Sequence, residues 1–518
     1  MSKREEITRS ASVMSFAILL SRVLGFIRDM VLARYLGATG LSDTFFVAFR
    51  VPNLLRELFA EGSMSSAFVP VLTEVSAKKG DEEARRLTSI TFTFICVSAG
   101  IVVILGIIFS PQIVRLIAPG FQSVEKLRIT VLLTRIMFPF LLFVSLAALC
   151  MGALNVKKVF FIPSLASSWF NLTVIICVVV LTALTGKPII AAAVGITIGG
   201  FMQFATQVPA FLKKGYRFNL NWNFSDSGLK KMGRLVLPTT IGLAVSQINI
   251  FVSTILASYL REGSITYLYY SMRLIQFPVG IFGVAMGMAV LPALSRHAAM
   301  KDMRSLREDF SYAIRMLFFI TVPSMMGLIA LREPIVNLLF QRGEFDYTAT
   351  QGTAFSLIFY SLGIWSIVGV RVVVSAFYSM QDTRTPVIVA AMAMLLNILL
   401  SLVLMGPLNH GGLALANSIA SWANFSVLFF VLRRRLVSVD GKRIIRGFLK
   451  ILAASAVMAL IAWALLRGHI WQESGYLAKK SLYLGATILL SGVVYAGCCK
   501  IFGVEELSEV LRLFKVQK

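Results

Sequence analysis

Apolar runs bounded by charge, glycine or proline recur along the whole chain. They predict fourteen helices, centred near Ile18, Phe49, Val102, Leu142, Ile175, Ile198, Ile250, Gly283, Phe319, Ile364, Leu395, Trp422, Val457 and Ile488. A hydrocarbon core of about 30 Å needs about 20 apolar residues per helical span, so runs of this length read as membrane crossings. The segments near Ile18, Phe49 and Gly283 are the weakest of the set, because each carries polar or ionised residues that a helix facing only lipid would not. The connections leave no room for a sizeable soluble domain. The expected fold class is an all-α integral membrane protein of about fourteen transmembrane helices.

Composition places the chain in lipid: 57% of its 518 residues are hydrophobic, 14% are charged and the mean hydropathy is +0.80. The formal charge of +25 raises the question of nucleic acid. The basic residues form no single patch or aromatic-interleaved stripe, however, and lie in short runs between apolar segments. An even number of spans puts Lys78 to Arg86, Lys157 and Lys158, Lys213 to Arg234, Arg296 to Arg315 and Arg433 to Arg446 on the side of Lys3, Arg4 and Arg9. That asymmetry predicts cytoplasmic termini in an inner membrane, and no nucleic-acid partner. Residues Met1 to Ser21 begin basic and turn apolar, but Arg22 interrupts the run and no small-residue cleavage site follows, so the segment reads as a retained first span. Cys96, Cys150, Cys177, Cys498 and Cys499 lack metal-ligand spacing and read as small core residues.

An internal repeat is visible. Ala67 to Thr73 (AFVPVLT) is echoed by Ala289 to Ser295 (AVLPALS), each followed by a charged stretch. The same offset aligns the first span with the one after Lys231. Two homologous halves around a cavity are a common transporter design; a chance match is the competing reading. The expected organisation is an N-lobe over residues 1–222, a C-lobe over 223–440 and a C-terminal helix pair with its tail over 441–518.

Ionisable residues then appear where hydrocarbon should be: Arg22 and Arg28 on the first helix, Asp43, Arg50, Arg56, Glu57 and Glu61 on the second, and Arg273 on the eighth. An arginine at mid-membrane costs about 2.5–3.5 kcal/mol on insertion scales, so several facing lipid would defeat insertion, and a wet interior is expected instead. Arg28 and Asp43 lie nearer helix ends, where snorkelling is the alternative. On an ideal helix Asp43, Arg50, Glu57 and Glu61 fall within about 40° of one another, and Arg56 falls off that stripe. Pro52 removes a backbone hydrogen bond between them; a kink there would turn Arg56 inward and leave Asn53 to bond the exposed backbone. The competing reading is that Arg56 and Glu57 neutralise each other at a helix end. Arg135 and Arg371 also fall in apolar runs and are expected to be structural. Four arginines without four acidic partners on the same helices favour an anionic substrate, a phosphate or pyrophosphate, whose oxygens match the guanidinium fork. Gly25, Gly62, Gly280, Gly283 and Gly287, with Pro52, Pro70, Pro278 and Pro292, concentrate in these spans, serving either bending or close packing.

No paired-histidine metal motif, Asp-rich diphosphate motif or Walker loop occurs, and His297, His410 and His469 are isolated. Transport rather than catalysis is therefore expected, with no cofactor or metal.

Ser21 to Asp29 (SRVLGFIRD), Asp43 to Pro52 (DTFFVAFRVP), Asn53 to Leu55, Phe59 to Pro70 (FAEGSMSSAFVP), Phe277 to Pro292 and Leu338 to Phe345 (LLFQRGEF) closely resemble the MurJ (MviN) lipid II flippases. The resemblance runs from about Ile7 to Arg435. It implies the multidrug, oligosaccharidyl-lipid and polysaccharide exporter fold of two six-helix lobes plus two C-terminal helices. It implies as substrate the undecaprenyl-pyrophosphate-linked peptidoglycan precursor, turned from the cytoplasmic to the periplasmic leaflet by alternating access. The family's functional arginines fall on Arg22, Arg28, Arg56 and Arg273, with Asp43, Asn53 and Glu61 as accompanying polar positions and Arg50 where a relative carries Lys. Met272 and Gln276 stand where Asp and Glu are expected in relatives, so the C-lobe site is less acidic. The last two helices would offer a groove for the polyprenyl tail or simply pack as a pair. The expected state is a monomer among membrane lipids, driven by a coupling ion or the membrane potential. The competing functions are export of another lipid-linked oligosaccharide and a membrane-embedded polyprenyl-phosphate transferase.

Overall fold

The computed structural model describes residues 3–58, 67–436 and 440–516. All regular elements among them are helical, and they divide into two compact units, residues 1–263 and 264–518. The first unit contains α1 (Lys3–Leu36), α2 (Gly40–Arg56), α3 (Val69–Lys79), α4 (Asp81–Ile108), α5 (Ser110–Ile117), α6 (Val124–Met137), α7 (Phe140–Val156), α8 (Phe161–Thr185), α9 (Pro188–Ala205), α10 (Val208–Lys213) and α11 (Ser227–Ser258). The second contains α12 (Ser264–Pro278), α13 (Val284–Ala299), α14 (Met303–Ala330), α15 (Arg332–Phe340), α16 (Tyr347–Ser361), α17 (Ile364–Ser379), α18 (Arg384–Leu408), α19 (His410–Arg435), α20 (Gly441–Leu465), α21 (Leu477–Ile501) and α22 (Glu505–Val516).

Ten helical stretches among the described residues are long and apolar enough to cross a membrane; α6–α7, α9–α10 and α16–α17 each count as one. The other four expected centres, near Ile18, Phe49, Ile250 and Gly283, fall in helices or helix-like turns with no such stretch among the described residues, Ile250 lying in the shorter apolar stretch Gln247–Ser258. α2 and α12 are 17 and 15 residues long, short of a full crossing, and in α1 the ionised side chains Arg22, Arg28, Asp29 and Arg34 interrupt the apolar run without preventing helix formation.

Local chemistry sets the ends and bends of these helices. Thr39 and Ser42 form a reciprocal capping box that starts α2, Thr39 Oγ1 accepting from Ser42 N and Ser42 Oγ accepting from Thr39 N at 2.7 Å. Gly186, at φ +66°, closes α8 with a left-handed cap. Pro278 ends α12, and a single π turn at Val279–Gly283 leads into α13.

Within the first unit α8 packs on α9 and α1, α2 on α6, and α7 on α9; α11 packs on α2, α3, α4 and α5. Within the second, α18 packs on α19, α14 on α20, α13 on α17, and α20 on α21, so the last long helices are built into this unit. Small residues permit the close crossings. A Cβ on Gly412 would stand 2.1 Å from the Leu404 carbonyl oxygen, and one on Gly199 would stand 2.9 Å from the Phe170 ring. Among the glycines expected to bend or pack, Gly25 meets Asn171 and Gly283 meets Arg371, which is packing, whereas nothing lies within 4 Å of a Cβ on Gly287. Gly62 lies outside the described residues. The repeated prolines differ in place: Pro70 stands in the first turn of α3, and Pro292 lies inside α13.

Candidate functional site

In the first unit the ionisable residues of α1 and α2 separate into three environments. At the end of α2, Asn53, Arg56 and Glu57 form one polar cluster. Arg56 Nε donates to Asn53 Oδ1 at 3.1 Å, Asn53 Nδ2 donates to Glu57 Oε1 at 3.3 Å, and Arg56 Nη2 lies 3.6 Å from Glu57 Oε1. Gln247 of α11 donates its Nε2 to Glu57 Oε2. The α-helical pattern ends at Arg56 and π-type turns follow at Glu57 and Leu58, a change of winding that comes one turn after the buried Pro52. Asn53 thus spends its amide on side chains rather than on the backbone exposed by Pro52. The neutralising contact between Arg56 and Glu57 is present, and both side chains stay partly accessible at 22% and 32%.

Asp43 is elsewhere. Fourteen residues of helix separate it from Glu57, about 20 Å along the axis at 1.5 Å per residue. Its carboxylate is buried and accepts a hydrogen bond from Gly263 N at 2.7 Å, at the turn that ends the unit. Neighbouring Glu262 pairs with Lys126 of α6. Arg50 lies between these two points and is half-buried.

Arg28 forms the third environment. Its guanidinium is buried and donates to Asp29 Oδ1 through Nε at 3.1 Å and Nη2 at 2.7 Å, and to Asn171 Oδ1 of α8 through Nη1 at 3.0 Å. It also lies over the Phe170 ring. Asn171 completes the joint by donating Nδ2 to the Ser21 carbonyl. Six residues at 100° each set Arg22 about 120° around α1 from Arg28. Arg22 is accordingly exposed, and no carboxylate pairs with it among the described residues. Glu61 lies outside the described residues.

In the second unit Arg273 is half-buried on α12. Its Nη2 and Nε approach Tyr269 Oη at 3.2 and 3.4 Å, and Nη1 approaches Gln276 Oε1 at 3.4 Å. The guanidinium sits 5.4 Å from the Tyr269 ring centre. Gln276, noted in the sequence as a lost carboxylate, is thus a direct neighbour of the arginine. Farther along, Arg371 of α17 reaches the π turn, its Nη1 3.2 Å from where a Gly283 Cβ would stand. Arg135 behaves as a structural tie, its Nε donating to Ser110 Oγ at 2.9 Å and to the Ile107 carbonyl at 3.3 Å.

Sequence reasoning missed Asn171, Gln247 and Tyr269. Asp29 was readable as the residue next to Arg28; Gln247 and Asn171 are single amides in apolar runs, and nothing in the pattern marks them. Among the described residues no group of three or more His, Cys, Asp or Glu is placed to hold a metal ion.

Long apolar helices with ionised side chains held at helix joints and on polar helix faces define a polytopic membrane transporter. The family model "Lipid II flippase MurJ" matches residues 32–483. The chain belongs to the MurJ lipid II flippase family. It is 34% identical over 513 residues to a probable lipid II flippase MurJ from Vibrio cholerae, covering 97% of each chain. It is 30% identical to the lipid II flippase MurJ of Burkholderia cenocepacia, covering 96% of this chain and 97% of that one. A solved structure of lipid II flippase MurJ in an inward closed conformation superposes with a TM-score of 0.79 at 29% identity, over 94% of this chain and 98% of that chain. An inward-facing MATE-family multidrug transporter of the MOP superfamily shares the fold, with a TM-score of 0.68 at 14% identity, over 81% of this chain and 96% of its own.

Proposed function

We propose that this protein translocates lipid II, the undecaprenyl-pyrophosphate-linked peptidoglycan precursor, from the cytoplasmic to the periplasmic leaflet of the bacterial inner membrane by alternating access. Family membership over nearly the whole chain is the observation that carries this reading. The protein acts as a monomer with both termini cytoplasmic, performs no covalent chemistry, and is driven by a coupling ion or the membrane potential. The repeat supports two ancestral six-helix lobes, residues 1–222 and 223–440, with the pair at 441–518 added.

Arg22, Arg50, Arg56 and Arg273 are the cations assigned to the pyrophosphate, since a guanidinium keeps its charge in a poorly hydrated site and offers two parallel donors. Asn53 and Glu57 orient Arg56, and Glu61 belongs to the same segment. Arg28 and Asp43 act at one remove, Arg28 by fixing α1 against α8 and Asp43 by fixing the start of α2.

The test is depletion in the native cell followed by assignment of the precursor to a leaflet. Accumulation on the cytoplasmic side is expected. Accumulation on the periplasmic side with normal wall synthesis refutes the flippase reading. Arg22→Ala and Arg273→Ala should each abolish complementation with normal membrane insertion; a variant that complements removes its residue from the site.

A further inference from the structure

A basic pocket lies wholly within the second unit, and none of the arginines assigned above lines it. It is a cavity of about 280 Å³ lined by Arg332, Glu333, Trp463, Arg467, His469 and Gln472, among others. Its floor is apolar and packed: Leu331, Ala462, Leu466, Trp471 and Leu484 form one buried cluster beneath it.

The loop that forms one wall is held by a buried polar network. Lys480, almost fully buried, donates Nζ to the Glu473 carbonyl at 2.6 Å and to Asn337 Oδ1 at 2.9 Å. Asn337 Nδ2 donates in turn to the Trp471 carbonyl at 2.7 Å, and Gln341 Nε2 donates to the Gln472 carbonyl at 2.8 Å. A buried ammonium costs several kcal/mol unless fully bonded, so this investment fixes the loop rather than leaving it to solvent.

The charges on the walls are mostly positive. Arg467 lies over the Trp463 ring, its Cζ 3.3 Å from the ring centre, and no carboxylate pairs with it among the described residues. Arg332 Nη1 is tied to the Ile329 carbonyl at 2.9 Å, while its Nη2 is 3.9 Å from Glu333, a loose contact that leaves guanidinium donors available. Against these two cations stands one carboxylate. The pocket also opens at the start of α15, whose cap residue Leu331 offers no side chain to the first backbone N–H groups.

Depth in the membrane follows from α20. Its first turns carry Lys442, Arg443, Arg446 and Lys450, and the uncharged residues 451–466, about 24 Å of helix at 1.5 Å per residue, lead past Trp463 to Arg467. The pocket therefore sits at headgroup level on the opposite face, where tryptophan and snorkelling arginine concentrate. Its volume is below the range of about 300–1,000 Å³ usual for whole drug-sized ligands, so it suits a phosphate with its immediate substituents and not a sugar–peptide head.

From the unpaired Arg467, the loosely paired Arg332, the fixed loop and this interfacial depth, we infer that the pocket binds a phosphate group, with the headgroup of an anionic membrane lipid and free inorganic phosphate as its two sources. The full-length protein in detergent is titrated with dioleoyl phosphatidylglycerol, followed by native mass spectrometry, and separately with sodium phosphate. Arg332→Gln/Arg467→Gln should weaken binding at least tenfold, Arg467→Lys should retain most of it, and Arg304→Gln, at an exposed arginine elsewhere in the unit, should change nothing. An unchanged melting temperature shows that the double variant is folded. Loss confined to the lipid arm assigns the headgroup as source, and loss confined to the inorganic arm assigns free phosphate. Equal binding of both probes by the wild type and the folded double variant overturns the inference.

Discussion

The C-terminal helix is fastened by one buried ion pair, which gives a sharp prediction. Arg315 of α14 and Glu506 of α22 meet at 2.5 Å with side chains 5% and 2% exposed. Glu505 approaches the same Arg315 nitrogen at 3.3 Å but is 55% exposed, and its stronger bond is to Arg443 at 2.6 Å. That bond, ahead of all other influences, holds the Glu505 carboxyl below its ordinary value. Glu506→Gln keeps the shape and leaves Arg315 buried without its counter-charge, a loss of about 3–5 kcal/mol for a buried pair. Partial replacement by Glu505 puts the expected value at the lower end, about 3 kcal/mol, or about a hundredfold in the local opening constant. Glu505→Gln removes only partly exposed contacts, worth about 0–1 kcal/mol, so less than about sixfold. Hydrogen exchange of the amides in residues 505–511, read by mass spectrometry, separates the two. Exchange in Glu506→Gln within threefold of wild type, or a larger effect from Glu505→Gln, would refute the reasoning.

Two further outcomes test the packing and the electrostatics of the second unit. Gly412→Ala should destabilise by about 1–3 kcal/mol, because the Leu404 carbonyl that the new Cβ would meet is backbone and yields less than a side chain; an unchanged melting temperature refutes the close crossing of α18 and α19. Asp382, in the loop before α18, accepts from the Thr385 hydroxyl at 2.6 Å and the Thr385 amide at 3.0 Å, and pairs with Arg435; these interactions, the Thr385 hydroxyl foremost, lower its pKa from 3.8 to about 2. A lowered folded-state pKa gives stability that is present above about pH 4 and is lost as pH falls toward 2. Asp382→Ala should therefore melt below wild type at pH 7, with the gap narrowing by pH 3, and a gap that widens on acidification refutes the assignment.

The membrane class and most spans were legible because apolar runs are one-dimensional signals: ten of the predicted centres coincide with helices long and apolar enough to cross. The stripe on α2 was read less well. Helical periodicity placed Asp43 and Glu57 on one face, but a shared face extends along an axis, and these residues lie about 20 Å apart in different surroundings. Arg28 and Arg22 look equivalent in the sequence, each an arginine in an apolar run. What separates them is Asn171, 143 positions away from Arg28, which turns Arg28 into a joint between α1 and α8. Single amides such as Asn171 and Gln247 leave no periodic trace, so the partners that decide an arginine's role were the least readable part of the chain.

Glu57 carries the consequence furthest. Its carboxylate takes Asn53 on one oxygen and Gln247 on the other, with Arg56 beside it at 3.6 Å. A carboxylate that accepts two amides and faces a guanidinium occupies the geometry that a phosphate oxygen of the proposed substrate would require. Substrate arrival would then exchange one anion for another on Arg56, so that the arginine is never left uncompensated, and release would be assisted by the carboxylate returning. Glu57→Gln removes the competing charge and keeps the amide contacts. The expected result is tighter binding of pyrophosphate-bearing lipid by the purified protein, by about three- to tenfold for a partly exposed pair worth about 1 kcal/mol, together with slower turnover in cells. Weaker binding by Glu57→Gln would show that the carboxylate serves only to orient Arg56, and would refute the exchange.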